Sequence, residues 1–253
     1  MSDTEFKLLK APIIEAVLDI DCDMPPGREV AKLEQPAFEI LRDHYPKLRT
    51  ALVQMHQIEA QGDNPPKMLV RHAIQGFQFL HEDEKQLVQV RAQGFSFNRL
   101  APYTSLDDYL PEIERTWRLF ISVVAPVQIR TVRLRYINRI LLPMPDSKVE
   151  LEDYLKIGPR LQDEDRLTFT GFLNQHTAVE KDTGNQVNIV LTTQPPEDKM
   201  LPLIFDITVE NAGAGEVENW TCLLARVQAL RALKNRVFRN TLTERCLNLF
   251  QQP

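Results

Sequence analysis

Three arginines in one predicted strand are the residues whose type and spacing best suit ligand chemistry. Residues 127–142, VQIRTVRLRYINRILL, contain four arginines and no acidic residue. Side chains alternate along a strand, so Arg133, Arg135 and Arg139 lie on one face, where residues two apart are about 6–7 Å from each other. Guanidinium groups at this spacing suit the recognition of phosphates or carboxylates. The pattern therefore predicts an anion- or partner-binding surface.

A structural role for the same arginines is the alternative, and the sequence favours it. Residues 12–23, PIIEAVLDIDCD, alternate in the same way and place Glu15, Asp19 and Asp21 on one face. Opposite charges on neighbouring strands commonly form cross-strand pairs. These acids are therefore possible charge partners of the arginines. Their spacing matches no metal-binding loop, and we predict no metal site there.

The C-terminal region offers a second possible basic surface. Residues 223–253 contain six basic residues and one acidic residue, and Arg231, Arg236 and Arg239 could contact phosphates of a nucleic acid. Basic residues are also common near the C-terminus of a helix, where they complement its dipole. An apolar stripe through Leu223 and Leu230 indicates that this helix packs on the core.

Sequence motifs of enzymes are mostly absent. The chain has no phosphate-binding loop, no dinucleotide-binding glycine pattern, no H-E-x-x-H and no C-x-x-C, and its 9 glycines are few. The five histidines have no ligand spacing, and Ser96 in GFSFN lacks the setting of a nucleophile elbow. We therefore assign no catalytic residue, cofactor or metal.

Net charge and cysteine content suggest an ordinary cytoplasmic protein. The formal charge is −5, with 14 basic and 19 acidic residues in 1–126 and 16 of each in 127–253. This balance argues against a dedicated nucleic-acid-binding protein. Three widely spaced cysteines fit reduced thiols. No segment has the apolar length of a membrane span, and we expect no membrane partner.

The elements that position these residues repeat in order along the chain. The periodicity predicts β-α-β-β-β-α for residues 1–126 and β-(α)-β-β-β-α for residues 127–253. Strands are predicted at 12–23, 52–60, 67–80, 85–98, 127–142, 166–177, 185–194 and 201–209, and helices at 28–51, 105–124, 150–157 and 218–250.

This order predicts an α+β fold of two similar units, forming one integrated duplicated domain. Each unit is a curved antiparallel sheet packed on helices, and the chain ends in a long helix. The two sheets could also merge into one. Residues 12–23 and 127–142 would then be equivalent strands, adjacent at the sheet centre.

Four stretches together resemble a sporadically distributed bacterial family of uncharacterised conserved proteins of about this length. They are LLKAPIIEAVLDI (8–20), FSFNRLAPYTSLDDYLPEIERTW (95–117), IRTVRLRYINRILLP (129–143) and ALKNRVFRNTLTER (232–245). The resemblance spans the chain and implies no activity or catalytic residues. The patchy occurrence of the family resembles that of genes on mobile or defence-related loci.

These observations predict a non-enzymatic, ligand- or partner-binding or regulatory protein. Its partner would be an unidentified protein or a small anionic ligand that meets Arg133, Arg135 or Arg139. One alternative is a nucleic-acid-associated factor that uses the same arginines and the C-terminal helix. Another alternative is an enzyme with a site between the two halves.

Overall fold

The protein forms one sheet of nine strands with helices packed on it. The structure, a computed structural model, describes residues 8–59, 67–159, 166–167 and 170–251. The strands are β1 (Ile13–Asp23), β2 (Lys47–Glu59), β3 (Lys67–Leu80), β4 (Gln86–Arg91), β5 (Gly94–Leu100), β6 (Gln128–Pro143), β7 (Leu173–Val179), β8 (Gln186–Thr193) and β9 (Met200–Gly215). The α-helices are α1 (Glu34–Leu41), α2 (Leu106–Val124), α3 (Trp220–Thr241) and α4 (Glu244–Asn248), and short 3-10 helices cover Val30–Leu33, Pro145–Ser147 and Leu151–Asp153.

The strands pair in the order β2-β3-β4-β5-β1-β6-β9-β8-β7, and every pair is antiparallel. The α+β class is therefore confirmed, and a single sheet forms rather than two. The predicted adjacency of the strands at 12–23 and 127–142 is also confirmed, because β1 pairs with β6 in the middle of the sheet. On both sides of this central pair the outward order is the reverse of the chain order, and a long helix follows β5 and β9.

The core lies between one face of the sheet and helices α2 and α3. Phe95 on β5 packs edge-on against Trp117 of α2, with ring centroids 5.6 Å apart. On the other side Phe205 on β9 stacks on Phe238 of α3, also at 5.6 Å. Both rings are buried, and burying apolar area of this kind is the main stabilising contribution to the fold.

The prediction of one strand over 85–98 is wrong. The chain turns at Ala92 and Gln93, so that Arg91 of β4 faces Gly94 of β5. Gly94 has a φ of 153°, and a Cβ there would collide with the carbonyl oxygen of Ile20. Gly94 is therefore required by a tight turn and by the close approach of β1.

Two helices are shorter than predicted because local signals end them. The predicted helix 28–51 is helical only from residue 30 to 41, and Pro46 precedes β2, which disfavours helix there. The predicted helix 218–250 breaks at Leu242, whose backbone is extended. Thr243 then caps α4 by accepting a hydrogen bond from the Cys246 amide at 3.3 Å.

The remaining predicted elements differ from the structure mainly in where they begin and end. The helix predicted at 150–157 is only the 3-10 turn at Leu151–Asp153. Part of the strand predicted at 166–177 lies outside the described residues, and β7 begins at Leu173. The helix predicted at 105–124 is confirmed, with the Ser105 hydroxyl accepting from the Asp107 amide at 3.2 Å. Within the described ranges, no helix is long and apolar enough to cross a membrane.

Candidate functional site

The predicted arginines lie on the sheet face opposite α2 and α3, which we call the charged face. It includes Glu15, Asp19 and Asp21 on β1, Arg133, Arg135 and Arg139 on β6, and Asp206 and Glu210 on β9. The antiparallel register sets Arg133 directly opposite Asp19 on one side and Glu210 on the other. Arg133 is thus the arginine that the backbone aligns with acids on both flanking strands, whereas Arg135 lies opposite Val17 and Thr208.

Arg133 is held by carboxylates on both sides. Its Nε donates to Glu210 at 2.9 Å, and its Nη1 lies 3.6 Å from Asp21 and 3.9 Å from Asp19. Burial lowers the pKa of Arg133, but the hydrogen bond to Glu210 and the charges of the acids outweigh this effect and raise the pKa overall. The guanidinium therefore has its charge compensated within the sheet.

Arg135 and Arg139 are paired as well. Arg135 donates through Nη2 to Asp206 at 2.6 Å, and this hydrogen bond outweighs burial to raise its pKa. Arg139 donates to Glu197 at 2.5 Å and to the side chain of Gln194 at 3.2 Å. The closest partners are supplied by β9 and the segment before it rather than by β1. Binding of an anion by these arginines stays a prediction, and the pairs reduce the positive charge available for it.

The acids of β1 are similarly engaged. Asp21 accepts from Arg91 of β4 at 2.8 Å, and Asp19 accepts from the buried hydroxyl of Ser96 at 2.5 Å. Glu15 accepts from the Asn98 amide at 2.8 Å. The acids of β1 therefore have hydrogen-bonding partners on β4 and β5, and the three arginines of β6 have acidic partners on β9 and just before it. Within the part of the chain that the structure describes, no group of three or more His, Cys, Asp or Glu residues could hold a metal ion.

The arginines predicted as a basic helix surface point towards different parts of the molecule. Arg231 donates to Asp107 at the start of α2, at 2.7 Å. Arg236 pairs with Glu180, which follows β7. Arg239 lies near the end of α3, where its carbonyl oxygen accepts from Lys156 at 3.4 Å. Of these three arginines, Arg231 alone lines the pocket described next.

A pocket of about 510 Å³ lies on the helix side of the sheet, between α3, the start of α2 and β6. We call it the α2–α3 pocket. Residues from four separate segments line it: Leu8, Leu9, Ala11, Pro12 and Ile13 before and at β1, residues Tyr103 to Asp108, Tyr136 and Asn138 of β6, and Arg231, Lys234, Asn235 and Phe238 of α3. The pocket therefore combines residues from both predicted halves of the chain.

Lys234 is the most unusual group in this pocket. Its Nζ lies over the ring of Tyr136, 4.1 Å from the ring centroid. Among the residues that the structure describes, no carboxylate forms an ion pair with it. Burial, together with the nearby charges of Arg231 and Arg239, lowers the pKa of Lys234 to about 7. Near neutral pH this lysine exists partly as a free amine.

Two phenols stand beside the lysine. The Tyr103 and Tyr136 hydroxyls are 3.3 Å apart, and their rings meet edge-on. Burial raises the pKa of both phenols, so they stay protonated and keep their hydrogen-bonding capacity at neutral pH. Next to them the Asn138 side chain is fixed by a hydrogen bond to the Phe205 carbonyl at 2.9 Å. The pocket thus combines apolar side chains with several charged and hydrogen-bonding groups.

The sequence predictions included Arg231 but missed Lys234 and Tyr103. Lys234 occupies a position on the apolar stripe of α3, four residues after the buried Leu230 and four before the buried Phe238. A lysine on the apolar stripe of a helix is a recognisable signal, because such a charge is costly to bury without a partner.

Comparison of the chain with protein-family models and with curated proteins finds no match.

Proposed function

We propose that this protein binds a small ligand through an anionic group in the α2–α3 pocket. The single observation that carries the proposal is Lys234, a half-buried cation over the ring of Tyr136 that lacks a carboxylate partner among the described residues. A charge partly removed from water is ordinarily paired. An anionic ligand would supply the missing one.

The size and shape of the pocket support a small molecule. Its volume of about 510 Å³ falls within the range of roughly 300–1,000 Å³ usual for sites that bind small ligands. Arg231 stands at the same site with its side chain 29% exposed, held by Asp107, which is 59% exposed. Asp107 is therefore the more exposed member of this pair. Arg231 and Lys234 both line the pocket and are three residues apart on α3, so an anionic group of a ligand could meet both.

The ion pairs on the charged face also favour a small ligand over a nucleic acid. Arg133, Arg135 and Arg139 already have acidic partners, and a nucleic-acid phosphate would have to compete with Glu210, Asp206 and Glu197. Nucleic-acid binding draws its affinity from uncompensated lysines and arginines that displace counterions. A non-enzymatic ligand-binding or regulatory role at the α2–α3 pocket therefore fits the charge distribution better than a nucleic-acid-associated role.

The test uses two simple anions that cannot react with an amine, inorganic phosphate and glycolate. Each is titrated against the full chain by calorimetry and by thermal unfolding at neutral pH. A ligand present at about ten times its Kd stabilises the protein by about 1.4 kcal/mol. We expect saturable stabilisation of the wild type by at least one of the two, and its loss in Lys234→Met.

Arg236→Gln is the matched control, because Arg236 lies on the same helix, pairs with Glu180 and does not line the pocket. This variant should bind as the wild type does. Equal losses in both variants, or no saturable binding of either anion by the wild type, would overturn the proposal. Binding of single-stranded DNA that weakens steeply with salt and survives Lys234→Met would favour the nucleic-acid alternative instead.

We also infer that the two halves, 1–126 and 127–253, arose by duplication. The inference is supported by the matched order of elements around the β1–β6 pair, with α2 after β5 and α3 after β9.

The cytoplasmic location remains a prediction from the sequence. It is in keeping with Cys22, Cys222 and Cys246, which are all free thiols.

A further inference from the structure

We propose that Lys234 forms a reversible imine with a small carbonyl compound that carries an acidic group, such as a 2-oxo acid or an aldehyde acid. The proposal deepens the proposed function, since it assigns the ligand class of the same pocket. It depends on the position of the Lys234 amine in the pocket, on the groups around that amine and on the nearby Arg231.

The amine is positioned for such a reaction. Lys234 lines a pocket of about 510 Å³, which leaves room for a small molecule beside its Nζ. The ring of Tyr136 supports the side chain from one side. No described carboxylate holds the amine as an ammonium ion, so loss of its proton breaks no ion pair.

The environment also favours the reactive form. Only an uncharged amine can attack a carbonyl carbon, and an ordinary lysine is almost entirely protonated at neutral pH. Burial together with the charges of Arg231 and Arg239 lowers the pKa of Lys234 to about 7. Desolvation beside another cation is an established way to activate a lysine nucleophile. Tyr103 and Tyr136, the other titratable groups close to it, stay neutral in this range.

The reaction needs no oxidant or reductant. The nitrogen lone pair of Lys234 forms a bond to the carbonyl carbon, and the C=O π electrons move to oxygen, which takes a proton. Loss of the second N–H proton and departure of the hydroxyl as water then give the C=N bond. The sum is amine plus carbonyl giving imine plus water. The ligand's carboxylate or phosphate would meet the Arg231 guanidinium.

The experiment traps the imine on the full-length protein. The chain is incubated at neutral pH with glyoxylate and cyanoborohydride, which reduces an imine to a stable secondary amine. Intact mass then counts adducts, and peptide mapping identifies the modified lysine. We expect labelling of Lys234 at least about tenfold faster than labelling of the exposed Lys32, since far more of the Lys234 amine is uncharged.

Variants separate the covalent step from simple binding. Lys234→Arg keeps a cation over Tyr136 but cannot form an imine, and it should lose the preferred adduct while retaining its fold by circular dichroism. Lys32→Arg is the matched control and should leave the preferred adduct in place. Arg231→Gln removes a charge that lowers the pKa of Lys234, so it should slow labelling by acetaldehyde, which has no acidic group, and should slow labelling by glyoxylate several-fold more.

Each outcome is decisive. Preferred labelling of Lys234 that depends on Arg231 for glyoxylate supports the proposal. Uniform labelling of surface lysines at the rate of Lys32 overturns it. If phosphate or glycolate binds in the pocket while Lys234 is not preferentially labelled, the imine is excluded and the proposed anion-binding function stands. If neither anion binds and Lys234 is not labelled, both proposals fail.

Discussion

The basic side chains on the two faces of the sheet at β6 differ in whether they have acidic partners. On the charged face Arg133 and Arg135 lie within hydrogen-bonding distance of Glu210 and Asp206. On the opposite face Tyr136 supports Lys234, which has no carboxylate partner among the described residues. The face with more arginines is therefore the one with less charge available to a ligand. The number of basic residues on a surface is a poorer guide to a binding site than the absence of partners.

The largest effect on stability should come from removing a paired arginine. Arg133→Met leaves Asp19, Asp21 and Glu210 without their shared cation, whose side chain is 29% exposed. Breaking such a partly buried network should cost about 2–3 kcal/mol. Urea unfolding measures the change. The control Arg118→Met removes an exposed pair within α2 and should cost less than about 0.5 kcal/mol. Equal small effects would mean that the charged face is not a structural network.

Removal of the pocket lysine, Lys234, should instead stabilise the protein. Lys234→Met keeps an apolar side chain against Tyr136 and removes a half-buried charge that has no carboxylate partner among the described residues. The loss of the cation–π contact costs about 0.5–1 kcal/mol, but relief of the desolvation penalty should leave a net gain of about 1–2 kcal/mol at neutral pH. Lys32→Met, at a lysine whose side chain is 72% exposed, should change stability by less than about 0.5 kcal/mol. Destabilisation by Lys234→Met would indicate an unrecognised partner.

The pH dependence of the free energy of unfolding tests whether the pKa of Lys234 is lowered. Lys234 titrates with a pKa of about 7 in the folded protein, and a lysine in the unfolded chain titrates near about 10.4. Between these values the unfolded state binds more protons, so wild-type stability should rise with pH relative to Lys234→Met. The slope of the difference is at most about 1.4 kcal/mol per pH unit. Urea titrations of both proteins at several pH values measure it, and parallel curves would contradict the lowered pKa.

The central strands could be predicted from the sequence because their pattern is local. Alternation along 12–23 and 127–142 indicated which residues share a face, and the β1–β6 pairing followed from the repeated order of elements. The partners of the arginines were harder to identify. Asp206 and Glu210 lie on or just beyond a predicted strand, but only the sheet order places that strand against β6. The two-residue turn at Ala92 also had no signal beyond one glycine.

The α2–α3 pocket was beyond sequence reasoning for a related reason. Its polar groups come from three distant parts of the chain, Tyr103, Asn138 and the pair Arg231 and Lys234, which meet only in the folded protein. Lys234 was counted among the bases of the C-terminal helix, although its spacing from Leu230 places it on the buried stripe. A charge on an apolar stripe is a signal that one sequence contains. The pocket beside Lys234, however, forms only when α3 packs against β6.

The most direct test of this account is an NMR titration of Lys234 with and without phosphate. Lysine labelled with ¹³C at Cε reports each protonation state, and the resonance missing from Lys234→Met assigns the residue. We predict a midpoint near the pKa of about 7 in the free protein, with an upward shift when phosphate binds and stabilises the ammonium form. A midpoint among the surface lysines, near about 10.4, or a midpoint that saturating phosphate leaves unchanged, would contradict the account.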